Sequence, residues 1–346
     1  MKRTFSFSFF LLFSLGLAAQ PKYPASAIPP ALLKDAHVVK RAEEITFEIV
    51  NLGEAVYKRK VALTILDEAG QRYASLVVGY DRLRKITDIE GALYDAAGIQ
   101  LKKVKGKEID DYSAVDGISL YDDARVKVHD FKYRSYPYTV EYAVEVEYNN
   151  TYSFPDFVPQ SFEHLAVEKS SYTFVVPAAY KLRYKPFNYK GAPVESAAKE
   201  KKVMKWEVSN VAAITRPIAS PPWHELTPTV FFAPSEFQME GYKGNASTWQ
   251  EYGKFNLLLN SDRDKLPADL LQKAKAIAES TSDTKDKIRK LYEFMQQHTR
   301  YISIQLGIGG LQPFDASYVA QKGYGDCKAL SNYMYSLLKA VGIKSY

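Results

Sequence analysis

The sequence predicts a multidomain protein in which an N-terminal antiparallel β-sandwich precedes a helix-rich domain. Apolar and polar residues alternate with a period of two in the N-terminal part, whereas they recur at spacings of three and four in the C-terminal part. Between these patterns, residues 216–234 contain five prolines, and proline disfavours helix interiors and central strands. We therefore expect a β-sandwich domain at residues 21–240 that includes this strap, a linker at 241–264, and the second domain at 265–346.

The first 20 residues have the pattern of a secretory signal peptide. Lys2 and Arg3 precede an apolar stretch that ends at Leu17 and is too short to span a bilayer. Small residues follow, so we expect cleavage near residues 18–20 and an exported product, periplasmic or extracellular, without a transmembrane segment. No cysteine lies near this site, which argues against a lipid anchor on a new N-terminal cysteine.

The composition is that of an ordinary globular protein, with 46% hydrophobic and 25% charged residues and a length that suffices for about two domains. The formal net charge of +6 falls to +4 when Lys2 and Arg3 leave with the predicted signal peptide (6 − 2 = 4). The densest basic segment, residues 103–108, is explained more simply as a solvated turn. Nucleic acid is therefore not an expected partner.

Alternating segments mark the strands of the predicted β-sandwich. In residues 139–148 the apolar set alternates with Thr139, Glu141 and Glu145, which predicts one face in a core and one in water. The same pattern recurs in four shorter segments, at residues 45–49, 61–65, 172–176 and 202–208. Turn residues separate these segments, as expected for a sandwich of short strands.

Helical spacing marks the C-terminal part. One predicted helix opens near Pro267 and carries Leu270, Leu271, Ala274, Ile277 and Ala278 along one face. A second helix repeats this spacing in Ile288, Leu291, Tyr292 and Met295. A short strand is expected at residues 301–306, and a short helix near 316–321.

The chain has one cysteine, Cys327, which excludes an internal disulfide and leaves a free thiol, an intermolecular bridge or an inert buried residue. Asp326 is a good N-cap, so Cys327 is predicted to be the first residue of a helix that Gly342 ends. A helix N-terminus favours a thiolate, whereas the Asp326 carboxylate opposes it. A nucleophile and a small apolar residue at a helix start both fit this pattern.

The run YGDCKALSNYMYSLLKAVGI resembles the nucleophile helix of the transglutaminase-like superfamily of papain-fold cysteine enzymes, in which a Gly-Asp-Cys turn opens a long apolar helix. The upstream pieces agree in order: an amphipathic helix, the strand YISIQLG and the connection QPFDASYVAQKG. More narrowly, the chain resembles exported bacterial proteins in which an uncharacterised β domain precedes a transglutaminase-like core. The core resemblance covers residues 265–346 and implies an α+β, papain-like domain.

The resemblance implies that Cys327 is the catalytic nucleophile. In the superfamily a histidine takes the thiol proton and an aspartate orients it, and both follow the nucleophile helix. Residues 328–346 contain neither, so the expectation is a core that is incomplete at its C-terminus and a chain that is inactive by itself. Gln305 is a candidate for oxyanion support, because papain-fold enzymes take the second donor from upstream of the cysteine; a solvent-facing strand residue is the simpler interpretation.

Other candidate sites have weaker support in the sequence. All five histidines precede the cysteine, and His298 at a helix end is more simply a partner of the last carbonyls than a base. Five aspartates between residues 110 and 123 lack the spacing of a calcium loop and are expected to be solvated. One cysteine with scattered histidines gives no zinc site, so neither metal nor cofactor is expected.

The expected function is that of an exported, transglutaminase-like cysteine enzyme of the bacterial cell envelope that hydrolyses, or transfers acyl groups from, a peptide or protein substrate. Cys327 would attack a carbonyl, form a thioester and pass the acyl group to water or to an amine. The alternative is a non-catalytic envelope protein, in which the β-sandwich binds an envelope protein or a carbohydrate and the papain-like domain is degenerate.

Overall fold

The computed structural model describes residues 21–346 apart from residues 115, 116 and 118. The predicted signal peptide and Asp116 of the acidic segment lie outside the described residues. The strands are β1 (Val38–Asn51), β2 (Glu54–Ile65), β3 (Leu76–Tyr80), β4 (Arg84–Tyr94), β5 (Gln100–Lys103), β6 (Asp110–Ser113), β7 (Tyr121–Asp122), β8 (Arg125–His129), β9 (Tyr138–Tyr148), β10 (Leu165–Pro177), β11 (Arg183–Phe187), β12 (Val194–Ala198), β13 (Lys201–Val211), β14 (Thr229–Ala233), β15 (Glu236–Met239), β16 (Tyr242–Asn245), β17 (Arg300–Tyr301), β18 (Ile304–Gln305) and β19 (Tyr324–Gly325). The α-helices are α1 (Trp249–Asn260), α2 (Ala268–Glu279), α3 (Thr284–His298), α4 (Ala316–Lys322) and α5 (Cys327–Ala340).

The N-terminal part is built on an eight-stranded sheet in the order β12-β13-β10-β1-β2-β9-β4-β5. Neighbouring strands are antiparallel except for β1 and β10, which pair in parallel with Val38 opposite Leu165. The sheet is therefore mixed: it is predominantly antiparallel, as the sequence predicts, apart from this pair. A parallel pair needs a long crossover, and the chain that forms β2 to β9 supplies it.

One face of the large sheet is buried under two smaller sheets. The three-stranded sheet β3-β8-β6 covers one end, where Leu76 of β3 belongs to the same apolar cluster as Val140 of β9 and Leu165 of β10. The two-stranded sheet β11-β14 covers the other end, where the Phe232 ring of β14 lies 4.8 Å from Tyr172 and 4.9 Å from Trp206. On this face the core therefore consists of two apolar clusters placed side by side.

The opposite face of the sheet carries charged side chains that pair across neighbouring strands. Lys58 of β2 lies 2.7 Å from Glu145 of β9, and Lys169 of β10 lies 3.3 Å from Glu207 of β13. This division follows from the period of two along each strand, which sends successive side chains to opposite faces.

The segments predicted to join the two domains are more structured than expected. The proline-rich strap at 216–234 contains β14, and the linker at 241–264 contains β16 and α1. Packing explains both differences. Val230 and Phe232 of β14 are buried in the core of the large sheet, and the Phe255 ring of α1 lies 4.8 Å from the Phe237 ring of β15 in an apolar cluster that also includes Met239. Tertiary contacts of this kind override weak local signals.

The remaining helices form a separate apolar cluster at the C-terminal end. Helices α2, α3 and α4 pack around α5, with Leu291, Val319 and Leu337 fully buried between them. None of the helices that the structure describes combines the length and the apolar character needed to cross a membrane.

Candidate functional site

Cys327 is exposed at the first position of α5. The preceding residue, Asp326, is 4% exposed, and its Oδ1 accepts a hydrogen bond of 2.9 Å from the Ala329 backbone N–H. This is the N-cap geometry, which satisfies one of the unpaired donors of the first helical turn. The buried stripe of Ala329, Tyr333 and Leu337 anchors the helix and leaves its N-terminal thiol at the surface.

The short strands β17 and β19 hold Tyr301 beside the thiol. Tyr301 pairs in parallel with Gly325, and the Ile302 N–H donates to the Gly325 carbonyl at 3.1 Å. The pKa of the Tyr301 hydroxyl is raised, first by desolvation, then by the nearby charges of Cys327 and Asp326 and by a hydrogen bond with the Cys327 side chain. A phenol in this position can donate a hydrogen bond to a thiolate.

Gln305 reaches the same helix start from β18. Its Nε2 donates to Asp326 Oδ2 at 3.3 Å and to Ser303 Oγ at 3.0 Å, and the Lys328 ammonium also pairs with the Asp326 carboxylate. The amide predicted to support an oxyanion thus lies next to the candidate nucleophile, with the N-cap carboxylate as its acceptor. Its role as an oxyanion donor stays a prediction.

Each of the five histidines has a partner other than Cys327. His298 is the histidine nearest to Cys327 in the sequence. Its Nδ1 lies 2.8 Å from the Phe294 carbonyl oxygen, and its ring lies 4.2 Å from the Phe294 ring. The other partners are Asp67 for His37, Tyr142 for His129, the Asp35 carbonyl for His164 and Glu225 for His224. His298 therefore has the helix-terminal contact that the sequence predicts.

The segment 119–123 of the N-terminal part, here called the arm, pairs with the segment that leads to the cysteine. Strand β7 runs parallel to β18 with Tyr121 opposite Ile304, and the Leu120 N–H donates to the Ser303 carbonyl at 2.8 Å. The Asp123 carboxylate extends this contact by accepting from the Gly307 N–H at 3.3 Å. The predicted acidic segment is therefore part of a domain contact rather than only a solvated loop.

A second carboxylate from the N-terminal part holds the same segment. Glu240 Oε1 accepts a hydrogen bond of 3.2 Å from the Ile308 N–H. Gly307 has a φ of +52°, and a Cβ at this position would lie 2.3 Å from the same Glu240 oxygen. A side chain here would be strained by the left-handed backbone and would displace the Glu240 carboxylate.

Sequence reasoning missed Tyr301, the arm and Glu240 as parts of this site. No local pattern signals them, because their contacts join residues that are far apart in the chain. Within the described ranges, no cluster of three or more His, Cys, Asp or Glu residues could hold a metal ion.

The N-terminal part matches a known family. Residues 51–215 match the family described as "Domain of Unknown Function with solved-structure structure (DUF3857)". The match includes most of the large sheet and the arm, and it ends before α1. Among curated proteins, none matches this chain.

The whole fold is similar to the crystal structure of a "putative protease" from Parabacteroides distasonis. The TM-score is 0.62 at 14% identity, and the match covers 88% of this chain and 59% of that chain. This chain thus spans less than two thirds of the length of that protein, and at this identity the likeness shows the fold alone. An M1 zinc metallopeptidase from Deinococcus radiodurans matches at a TM-score of only 0.30, with 9% identity over 66% of this chain and 53% of that chain, which supports no argument.

Proposed function

We propose that this protein is a peptidase-like cysteine enzyme of the transglutaminase-like superfamily, with Cys327 as its nucleophile. The observation that carries the proposal is the placement of an exposed thiol at the first position of α5, behind a buried N-cap and beside the Tyr301 hydroxyl. The fold likeness to a Parabacteroides protein described as a protease is consistent with this chemistry.

In the proposed reaction, the Cys327 sulfur bonds to the carbonyl carbon of a peptide or amide while the C–N bond breaks and the leaving amine takes a proton. Water or an amine then bonds to the same carbon, the C–S bond breaks and the thiol regains its proton. Backbone N–H groups at the start of a helix are suited to hold the developing negative charge on the carbonyl oxygen.

We also propose that the protein is exported by means of residues 1–20, and that the β part is a sandwich. Support for export comes from the basic and apolar pattern of that segment. Support for a sandwich comes from the two small sheets that cover one face of the large sheet.

Alkylation of the single thiol tests the proposed nucleophile. Because Cys327 is the only cysteine, all iodoacetamide incorporation measured by intact mass reports on this residue. We expect the folded protein to be alkylated at pH 7, because the Cys327 side chain is exposed at the first position of α5. A folded protein that stays unlabelled, while the urea-unfolded protein is labelled, would remove the case for a nucleophile.

Acyl transfer is a second and stricter measurement. With p-nitrophenyl acetate, the sulfur should take the acetyl group while p-nitrophenolate leaves, which adds the mass of one acetyl group to the chain. Cys327→Ser is the control that must not form this thioester. Alkylation without acetylation would identify a reactive thiol that is not suited to acyl chemistry.

A further inference from the structure

The arm is held to the C-terminal part mainly through its backbone. The Leu120 N–H and the β7-β18 pairing bind main-chain groups of residues 303–305, and Ser119 Oγ lies 3.2 Å from Ser303 Oγ. The large side chains of the arm are not needed for this attachment. They remain at the surface beside the segment that carries Gln305.

These side chains are apolar and strongly exposed. Leu120 is 61% exposed and Tyr121 is 63% exposed, and on the C-terminal side Tyr301 and Leu306 are 57% and 39% exposed. Single exposed apolar residues are ordinary, but several near one site mark a surface that binds something. This surface contrasts with the charged outer face of the large sheet.

The strand register places Leu120 on the side of the candidate nucleophile. Asp122 is opposite Gln305 in the parallel pair, and residues two apart on a strand share a face. Leu120 therefore shares the face of Asp122 and Gln305, whereas Tyr121 faces the other way with Ile304. Gln305 contacts Asp326, the residue that precedes Cys327, so this face borders the thiol.

Charge at this border is negative. Asp122 accepts from the Ala124 N–H at 2.8 Å, and Asp123 accepts from backbone N–H groups of Arg82 and Gly307. Asp326 is the one carboxylate of the three that pairs with a cation, Lys328. An acidic side chain bound here would lie near the carboxylates of Asp122 and Asp123, whose partners are neutral backbone groups. Repulsion between like charges disfavours the binding of such a side chain.

We propose that the arm of the DUF3857 domain forms one wall of the substrate site of Cys327, and that Leu120 selects peptides with an apolar rather than an acidic side chain next to the attacked carbonyl. This inference rests on the proposed function. It assigns to the N-terminal domain a direct part in substrate choice, with the peptide passing between Leu120 and the start of α5.

Two peptidyl chloromethyl ketones test this selectivity on the full chain. The Cys327 sulfur displaces chloride from acetyl-Ala-Ala-Leu or acetyl-Ala-Ala-Asp chloromethyl ketone, and the rate of mass gain is measured for each. Iodoacetamide, which offers no peptide side chain, normalises the rates between variants. We expect the leucyl reagent to react at least about tenfold faster than the aspartyl one, a ratio within reach of one apolar contact and charge repulsion.

Leu120→Ser should reduce this ratio several-fold, because it removes the apolar contact and leaves the charge repulsion in place. The matched control is Val194→Ser, which changes a residue 74% exposed on the edge strand β12 and should keep the ratio of the unmodified protein. A variant that retains the far-UV circular dichroism of the parent excludes unfolding as the cause.

The outcomes separate the two proposals. If iodoacetamide labels Cys327 but the two ketones react equally, or if Leu120→Ser leaves their ratio intact, the role of the arm is overturned while the nucleophile survives. The role of the arm is likewise overturned if only iodoacetamide reacts. If no reagent labels Cys327 in the folded protein, the proposed function is overturned, and the inference with it.

Discussion

Replacement of Glu43 by glutamine should destabilise the β part severely, because Glu43 neutralises the buried Lys40 ammonium and the partly exposed Arg59 guanidinium. Its Oε2 lies 2.5 Å from Lys40 Nζ, and its Oε1 lies 2.7 Å from Arg59 Nη2. Ser170 Oγ donates to the same carboxylate at 2.8 Å. Lys40 and Glu43 are 2% and 3% exposed. The substitution leaves two cations without a counter-charge.

The size of the effect follows from burial and from the pKa of Glu43. Burial by itself would raise this pKa, but the charges of Lys40 and Arg59 and the hydrogen bonds from Lys40 and Ser170 lower it from 4.5 to about 2. A shift of this size corresponds to about 3 kcal/mol of stability. Loss of one partner of a buried pair costs about 3–5 kcal/mol, so both routes give a similar magnitude.

Urea unfolding followed by circular dichroism measures this cost. Glu48→Gln is the matched control, because Glu48 also lies on β1 but pairs with the partly exposed Lys201, and such pairs contribute about 0–1 kcal/mol. Because folding lowers the pKa of Glu43, its ionised carboxylate stabilises the folded protein at pH values above 4.5, the pKa of the unfolded chain. This contribution is lost as the pH falls towards about 2. The difference between the parent and Glu43→Gln should therefore narrow over that range. If Glu43→Gln and Glu48→Gln lower the free energy of unfolding equally at pH 7, the reasoning is refuted.

Three further predictions concern the candidate site. Asp326→Ala should destabilise the helical part by about 1 kcal/mol in thermal unfolding through loss of the N-cap, whereas Asp326→Asn keeps an acceptor and should cost less; equal melting temperatures would contradict the cap. Gly307→Ala should lower the free energy of unfolding by about 1–3 kcal/mol because of the positive φ at this position and the close Glu240 carboxylate. The control is Gly309→Ala, which should be tolerated because its Cβ would have its nearest neighbour at 3.9 Å. Tyr301→Phe should slow alkylation of Cys327 at pH 7 several-fold, because the thiolate loses a hydrogen-bond donor; an unchanged rate would show that this hydroxyl does not act on the sulfur.

The local sequence pattern was sufficient to predict those features whose geometry depends on a single helix or strand. The helix predicted to begin at Cys327 has an N-cap aspartate before it, an apolar stripe along it and Gly342 at its end. In the structure, α5 spans Cys327–Ala340. The long alternating strands were likewise recognisable, since a period of two on a half-buried sheet leaves its trace in every strand. The short strand expected at residues 301–306 is present as β17 and β18, but its division into two pieces that pair with β19 and β7 leaves no trace in the sequence.

The sequence by itself determined that an alternating β part precedes a helical part, and that the single thiol lies at the start of an amphipathic helix. Only the tertiary structure decided that β1 and β10 pair in parallel, that α1 lies where a linker was expected, and that the arm pairs with the segment that precedes the cysteine. The physical reason is that hydrophobic period and capping act between neighbours in the chain, whereas the arm meets residues 303–305 through backbone hydrogen bonds. Main-chain donors and acceptors are the same in nearly every residue, so a sequence carries no mark of which distant segment they will join.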